Sequence, residues 1–212
     1  LGVSAHRLLI CGFGSFPAAP RNPSGLVVER LAADGFRPAG LDASCLTLPV
    51  AWARAAELVV EHLAHRPADG VLLVGVTVEA DDFCVETMAR NQAAEGRLDH
   101  DGHAWLRPEV VTGGPAAHRA TAPVDAMLAA LARAGLRARS SDDAGSYLCN
   151  FVFYRLLNEG IAPAVGFLHV PQSRDLDPAA TMPLAKIEDA VRIAATAFAE
   201  AIKRSGAATG TG

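Results

Sequence analysis

The 212-residue chain has four cysteines, Cys11, Cys45, Cys84 and Cys149, and no two of them form a close CxxC pair. That excludes a zinc ribbon or a dithiol redox motif, both of which need thiols a few residues apart. No long basic run is present and the formal charge is -4. A nucleic-acid binder needs a concentrated positive stripe, so no nucleic-acid partner is expected. There is no apolar stretch of about 18 or more residues, the length that crosses a bilayer, so no membrane partner is expected. Leu1 to Arg7 show no basic start followed by a long apolar run, so no export signal is read there. A chain this long without export needs no disulfide staples, and its thiols are expected to be free in a cytoplasmic protein. No internal repeat is visible.

What is present is a 50% hydrophobic composition, enough for one sizeable core. Leu8 to Cys11 is a short apolar strand, followed by a long loop, Gly12 to Ser24, rich in Gly and Pro. Ser24 is expected to cap a helix that runs to Ala33. Cys45 to Val50 reads as a strand, and Ala51 to His65 as an amphipathic helix, with Trp52, Ala55, Ala56, Val59, Val60 and Leu63 at helical spacing. Val71 to Val76 is apolar without alternation, as suits a parallel strand covered on both faces. Further helices are expected over Thr121–Ala134, Tyr147–Asn158 and Pro183–Arg204, with strands at Leu136–Ser140 and Ala164–Val170. This alternation predicts a single α/β domain over residues 1–205: a mostly parallel, twisted central sheet with helices on both faces. Residues 206–212 are read as a flexible tail. In such sheets, sites gather at the carboxyl ends of strands.

Cys149 follows a run of turn-forming residues and precedes a hydrophobic stretch. In the first turn of a helix, a thiol feels the positive end of the helix dipole, and the unpaired N–H groups there favour thiolate and a developing oxyanion. A buried structural cysteine is the alternative. His169 ends an apolar strand before Val170-Pro171, where an imidazole of near-neutral pKa suits a general base. A solvent-facing strand-end histidine is the alternative. A carboxylate is needed to hold that imidazole in one tautomer. Glu86 is the candidate, with Glu79, Asp81 and Asp82 as competitors in what reads as the same loop. The residue types alone do not choose among them. His62 and His65 are read as a solvated helix face rather than a metal pair, and His100 with His103 as a weaker metal alternative.

These residues resemble the pyroglutamyl peptidase family of cysteine peptidases over nearly the whole chain. Gly12-Phe13-Gly14-Ser15-Phe16 with Asn22-Pro23-Ser24 is similar to the family's G-F-x-P-F loop ending in N-P. Leu48-Pro49-Val50 matches its second strand, and Glu86 with Asn91 its E-x-x-A-x-N segment. Gly113 to Ala117 fits a further family segment. Ala144-Gly145-Ser146-Tyr147-Leu148-Cys149-Asn150-Phe151 is very close to the nucleophile motif, and Gly166-Phe167-Leu168-His169-Val170-Pro171 to G-F-I-H-V-P. The resemblance implies Cys149 as nucleophile, His169 as base and then acid, and Glu86 as the orienting carboxylate. It implies a substrate pocket with Phe13 and Phe16 as an apolar clamp and Asn22 helping to close it. It implies removal of an amino-terminal pyroglutamyl residue from small peptides through a thiol acyl-enzyme, with no cofactor and no metal. It further implies a homodimer or homotetramer.

The chain also departs from the family. Val78-Glu79-Ala80 stands where members carry P-G-R, and Gly14 and Ser15 replace an acidic residue and a proline. Gln172 replaces a common tyrosine, and the stretch from Tyr154 to Gly166 is short. The family's D-A-R-I-P-D-N-x-G is met by Glu95-Gly96-Arg97-Leu98-Asp99, and a one-residue shift gives Arg97 the role of the family's site arginine. The three catalytic residue types are spared and their surroundings altered. Acyl transfer therefore follows more directly than pyroglutamyl specificity. A cysteine amidase, thioesterase or acyltransferase acting on another small acyl group is the alternative, and a non-catalytic binding relative the third reading.

Overall fold

In the computed structural model, residues 6–16, 19–77 and 81–209 are described. The apolar runs form strands whose alternate residues enter different cores. In β1 (Arg7–Phe13), Leu9 and Cys11 face one layer of helices while Leu8 and Ile10 face the other. The same holds for β3 (Gly70–Thr77), where Val71 and Leu73 oppose Leu72 and Val74. Both faces of these strands are covered, which is why their sequences show no polar alternation.

Six strands form the sheet: β2 (Asp42–Leu48), β1, β3, β8 (Ala164–Pro171), β4 (Phe83–Glu86) and β7 (Ala138–Ser141), in that spatial order. The first four are parallel, β4 is antiparallel to β8, and β7 is parallel to β4. A ribbon of β5 (Met88–Arg90) and β6 (Ala117–Arg119) lies apart. One face is covered by α2 (Trp52–His65) and α4 (Leu148–Glu159). The other is covered by α1 (Pro23–Ala33), α3 (Val124–Arg133) and α5 (Leu184–Thr209). Each side chain buried in full, such as Phe153 or Phe198, contributes roughly 1.5–3 kcal/mol. The expected single α/β domain with a mostly parallel sheet is what the chain forms.

Four expectations are corrected. Phe83–Glu86 is a buried strand, not a loop; at four residues, with Asp81-Asp82 before it, it is too short to show a period. The cap of α1 is Asn22, whose Oδ1 accepts from Ser24 N at 3.1 Å. Pro23 fits the first helical position because it has no N–H to leave unpaired, and this moves the cap two residues upstream of Ser24. Helix α5 extends to Thr209, into the stretch read as a flexible tail, since alanine-rich sequence propagates a helix already anchored by packing. Residues 210–212 lie outside the described residues. His62 is not simply solvated: its Nε2 lies 3.0 Å from Ser44 Oγ.

Two asparagines tie the layers to the site. Asn150, fully buried, accepts from Arg90 N at 2.9 Å and donates to the carbonyls of Arg90 and Gln92 at 2.9 and 2.8 Å. It clamps the start of α4 to the strand that follows Glu86. Replacement by alanine strands three backbone groups in a dry site. Asn150→Ala is expected to lower stability by about 3 kcal/mol, read as a fall in the urea midpoint. Asn91 similarly holds the 111–114 turn through Val111 N, Val111 O and Gly114 O.

Candidate active site

Helix α4 begins at Leu148, so Cys149 is its second residue. No side chain caps this end, and the first intrahelical donor is Phe151 N, which bonds Tyr147 O at 2.9 Å. The N–H groups before it have no carbonyl in their own helix. Gly145 enters the turn with φ +79°, and its N–H is held by Asp143 Oδ1 at 2.9 Å. The Cys149 sulfur lies over Gly75 of β3: a Cβ at that glycine would come within 2.8 Å of Sγ and 2.7 Å of the Phe167 ring. Residue types offered one signal for this, a glycine inside an apolar strand, which often marks a close approach. Gly75→Ala is expected to displace either group, cutting kcat/KM at least tenfold and costing about 1–3 kcal/mol by overpacking. Steady-state kinetics and thermal unfolding of that variant check both.

Neighbouring strands complete the site. Gly75 on β3 registers with His169 on β8, His169 with Cys84 on β4, and Cys84 with Arg139 on β7. Glu86, two residues beyond Cys84, shares its face. Its Oε1 lies 2.8 Å from His169 Nδ1, and both side chains are buried. An ionised carboxylate only accepts, so Nδ1 donates, and Nε2 is left for the thiol. Glu86 Oε2 is buried with no hydrogen-bond partner among the described residues. Burial pulls the His169 imidazole down. Hydrogen bonding to Cys149 and the thiolate charge, with the bond to and charge of Glu86, outweigh this and raise it to about 9. The arrangement favours an imidazolium facing Cys149.

The other thiols differ. Burial pushes Cys11 up strongly, and Cys45 to about 11. Burial also raises Cys84, against the pull of Arg139. Thiols held protonated are poor nucleophiles. The competing carboxylates are engaged elsewhere: Asp82 pairs with Arg137 at 2.9 Å, and Asp81 accepts from Thr181 Oγ1 at 3.4 Å. Glu79, with the whole of Val78-Glu79-Ala80, lies outside the described residues. Among the described residues no group of three His, Cys, Asp or Glu side chains is placed to hold a metal.

A cavity of about 520 Å³ opens on Cys149, His169 and Glu86, and Phe13, Phe16, Asn22 and Arg97 line it as well. Phe13 stacks on Phe167, with ring centroids 6.4 Å apart. Its backbone is pressed against α1, since a Cβ at Gly12 would fall 2.4 Å from Ser24 O. Asn22 lines the cavity with its polar atoms already used: Nδ2 donates to Gly14 O at 3.0 Å, and Oδ1 caps α1. It holds the loop that carries Phe16. Gly96 turns the chain at φ +74°, and Arg97 then lies over the Tyr147 ring, 3.9 Å from its centroid. That loop is pinned by Asp99, which accepts from Trp52 N, Asp101 N and His103 N at 3.1, 3.0 and 2.8 Å. Trp52 Nε1 donates to Arg97 O at 3.0 Å, and Tyr147 Oη to Leu98 O at 3.0 Å. Gly75, Asp99, Asn150 and Arg139 are site-building residues not singled out from sequence.

A thiol in a helix's first turn, an imidazole on the adjoining strand and a buried carboxylate behind it define an α/β cysteine hydrolase. The family model for pyroglutamyl peptidase matches residues 6–201, and the chain belongs to that family. It is 34% identical over 164 residues to a pyrrolidone-carboxylate peptidase of Chromobacterium violaceum, covering 77% of each chain. Pyrrolidone-carboxylate peptidase 1 of Ralstonia nicotianae is 32% identical over 168 residues, again covering 77% of each. The solved pyrrolidone carboxyl peptidase of Thermococcus litoralis superposes with a TM-score of 0.84 at 26% identity, covering 94% of this chain and 96% of that one. The Bacillus amyloliquefaciens pyroglutamyl peptidase I structure shares the fold, with a TM-score of 0.84 at 24% identity over 92% and 96%.

Proposed function

We propose that this protein releases an amino-terminal pyroglutamyl residue from small peptides through a thioester on Cys149, with His169 and Glu86 completing the catalytic set. The observation that carries this is His169, whose Nδ1 is held by Glu86 at 2.8 Å on the wall of the cavity that also holds Cys149. The Cys149 thiolate attacks the carbonyl carbon that joins pyroglutamate to the next residue, forming the S–C bond. The oxyanion is received by N–H groups of the first turn of α4. The His169 imidazolium then gives its proton to the departing nitrogen, the C–N bond breaks, and the peptide leaves as a free amine. Neutral His169 next takes a proton from water, which attacks the thioester carbonyl. Expulsion of the Cys149 thiolate frees pyroglutamate and restores the ion pair.

Phe13 and Phe16 flank the lactam ring, and Arg97, fixed on Tyr147, supplies the donor at the mouth. A substrate-reading donor of this kind rejects analogues that leave it unpaired. A reducing compartment, the cytoplasm, suits a catalytic thiolate prone to oxidation. Assembly into a homodimer or homotetramer is part of the same reading, supported by Leu98 and Leu106, which are 58% and 76% exposed. Sedimentation of the purified chain checks it.

The decisive assay is turnover of a pyroglutamyl amide of a fluorogenic amine beside alanyl and prolyl amides of the same amine. Selective release from the pyroglutamyl compound is expected. No release from it by folded protein, together with rapid alkylation of Cys149 by iodoacetamide at neutral pH, would transfer the chemistry to a different acyl substrate.

A further inference from the structure

The row Gly75, His169, Cys84, Arg139 crosses the sheet from its middle to its β7 edge, one residue per strand and all on the site face. Cys149 sits over the first of these and the proton donor is the second. Phe13 lies on the opposite side of Cys149, on β1. An acyl group seated against Phe13 sends its leaving amine toward His169. The chain attached to that amine then continues over Cys84 toward β7. At that end Arg139 is exposed and lines the cavity, in register with Cys84.

Among the described residues Arg139 forms no ion pair, whereas the neighbouring cations do: Arg90 holds Asp142 at 3.1 Å and Arg137 holds Asp82 at 2.9 Å. Glu86 is committed to His169. Asp143, on the same cavity wall, accepts from Gly145 N and tempers the positive field. Strands β8 and β7 are two spacings apart, roughly 10 Å. One or two extended residues at about 3.5 Å each, met by the long arginine side chain, span that gap.

Given the peptidase activity proposed above, on which this rests, we infer that Arg139 is a specificity residue that binds a carboxylate on the leaving peptide, one or two residues past the scissile bond. That carboxylate is either the free carboxyl terminus of a very short peptide or an acidic side chain. The contact is present in both substrate and transition state, so it lowers KM more than it raises kcat.

The test compares kcat/KM for pyroglutamyl-alanine against its carboxyl amide, and for pyroglutamyl-aspartyl amide against pyroglutamyl-asparaginyl amide. The first pair reports on a free terminus and the second on a side chain. Preference for the charged member of at least one pair, by about fivefold as for a partly exposed ion pair, is expected, carried in KM and shrinking at high salt. Arg139→Gln should bring that ratio near one, Arg139→Lys keep part of it, and Arg139→Glu invert it. A ratio near one in the unaltered protein, one that ignores salt, or one that survives Arg139→Gln would overturn the assignment. Failure to cleave any pyroglutamyl compound would instead overturn the peptidase activity. The salt dependence needs no variant and so stands even if a substitution at the edge strand unfolds the chain.

Discussion

Cys149→Ala is expected to lower kcat/KM on a pyroglutamyl amide by about 10⁴-fold or more while leaving the fold intact. In the proposed mechanism the thiol forms and breaks the bond to the acyl carbon, a part that neighbouring side chains are not placed to take. Cys84 sits on the far side of His169 from Gly75, over which the Cys149 sulfur lies, and burial raises its pKa. The alanine variant keeps the loops and N–H groups of the α4 start, so substrate still binds. Two readouts check this. Burst-free, near-zero turnover is expected, and iodoacetamide should label the unaltered protein at Cys149 but leave the variant unlabelled there. Turnover in the variant within tenfold of the unaltered protein would exclude Cys149 as nucleophile.

The second large effect belongs to Glu86→Gln. Its carboxylate is buried, has one oxygen on His169 Nδ1 and the other without a partner among the described residues, and raises the imidazole by its hydrogen bond and charge. A glutamine keeps the shape and loses the charge, and its amide can also present the wrong end to Nδ1. A fall of roughly 10⁴-fold in kcat/KM is expected, the scale of losing the tautomer-setting carboxylate in such a triad. The pH profile gives the more specific sign. With His169 raised to about 9, the imidazolium persists through neutral pH and activity falls on an alkaline limb near pH 9. Removing the Glu86 charge removes one cause of that rise, so the limb must move to lower pH. An unmoved limb would mean that it does not report on His169.

Stability follows the same linkage. The folded-state value for His169 lies above the ordinary imidazole value of 6.5. Its contribution is complete below about pH 6.5 and is lost as pH rises through 9. The urea midpoint of the unaltered protein should therefore fall across that window, and fall less in the Glu86→Gln variant.

Cys149 and His169 stand out as candidates in the residues themselves because each sits at a junction of patterns, turn residues into a helix and an apolar strand into Pro171, while only the family resemblance chooses them over a buried structural cysteine and a solvent-facing histidine. Glu86 is legible only through the family resemblance, since its strand is four residues long and surrounded by other acids. Asn22 lines the cavity, and only the packed loop shows its amide spent on Gly14 and the α1 cap. Gly113 to Ala117 fits a family segment, and its residue types give no reason for the fit. In the fold, Tyr154 Oη donates to Pro115 O at 2.7 Å, and a Cβ at Gly114 would lie 2.7 Å from that hydroxyl.

The sequence by itself determined the layered α/β architecture and the positions of the long elements, with a candidate thiol and imidazole at their ends. Those features are local: hydrophobic period, turn chemistry and caps act over a few residues. Only the tertiary structure decided which carboxylate faces the imidazole, why Gly75 lacks a side chain, and where Arg97 and Arg139 stand. These depend on the register of β3, β8, β4 and β7, strands separated by up to about ninety residues, and in a pleated sheet a slip of one residue would turn every one of those side chains to the other face.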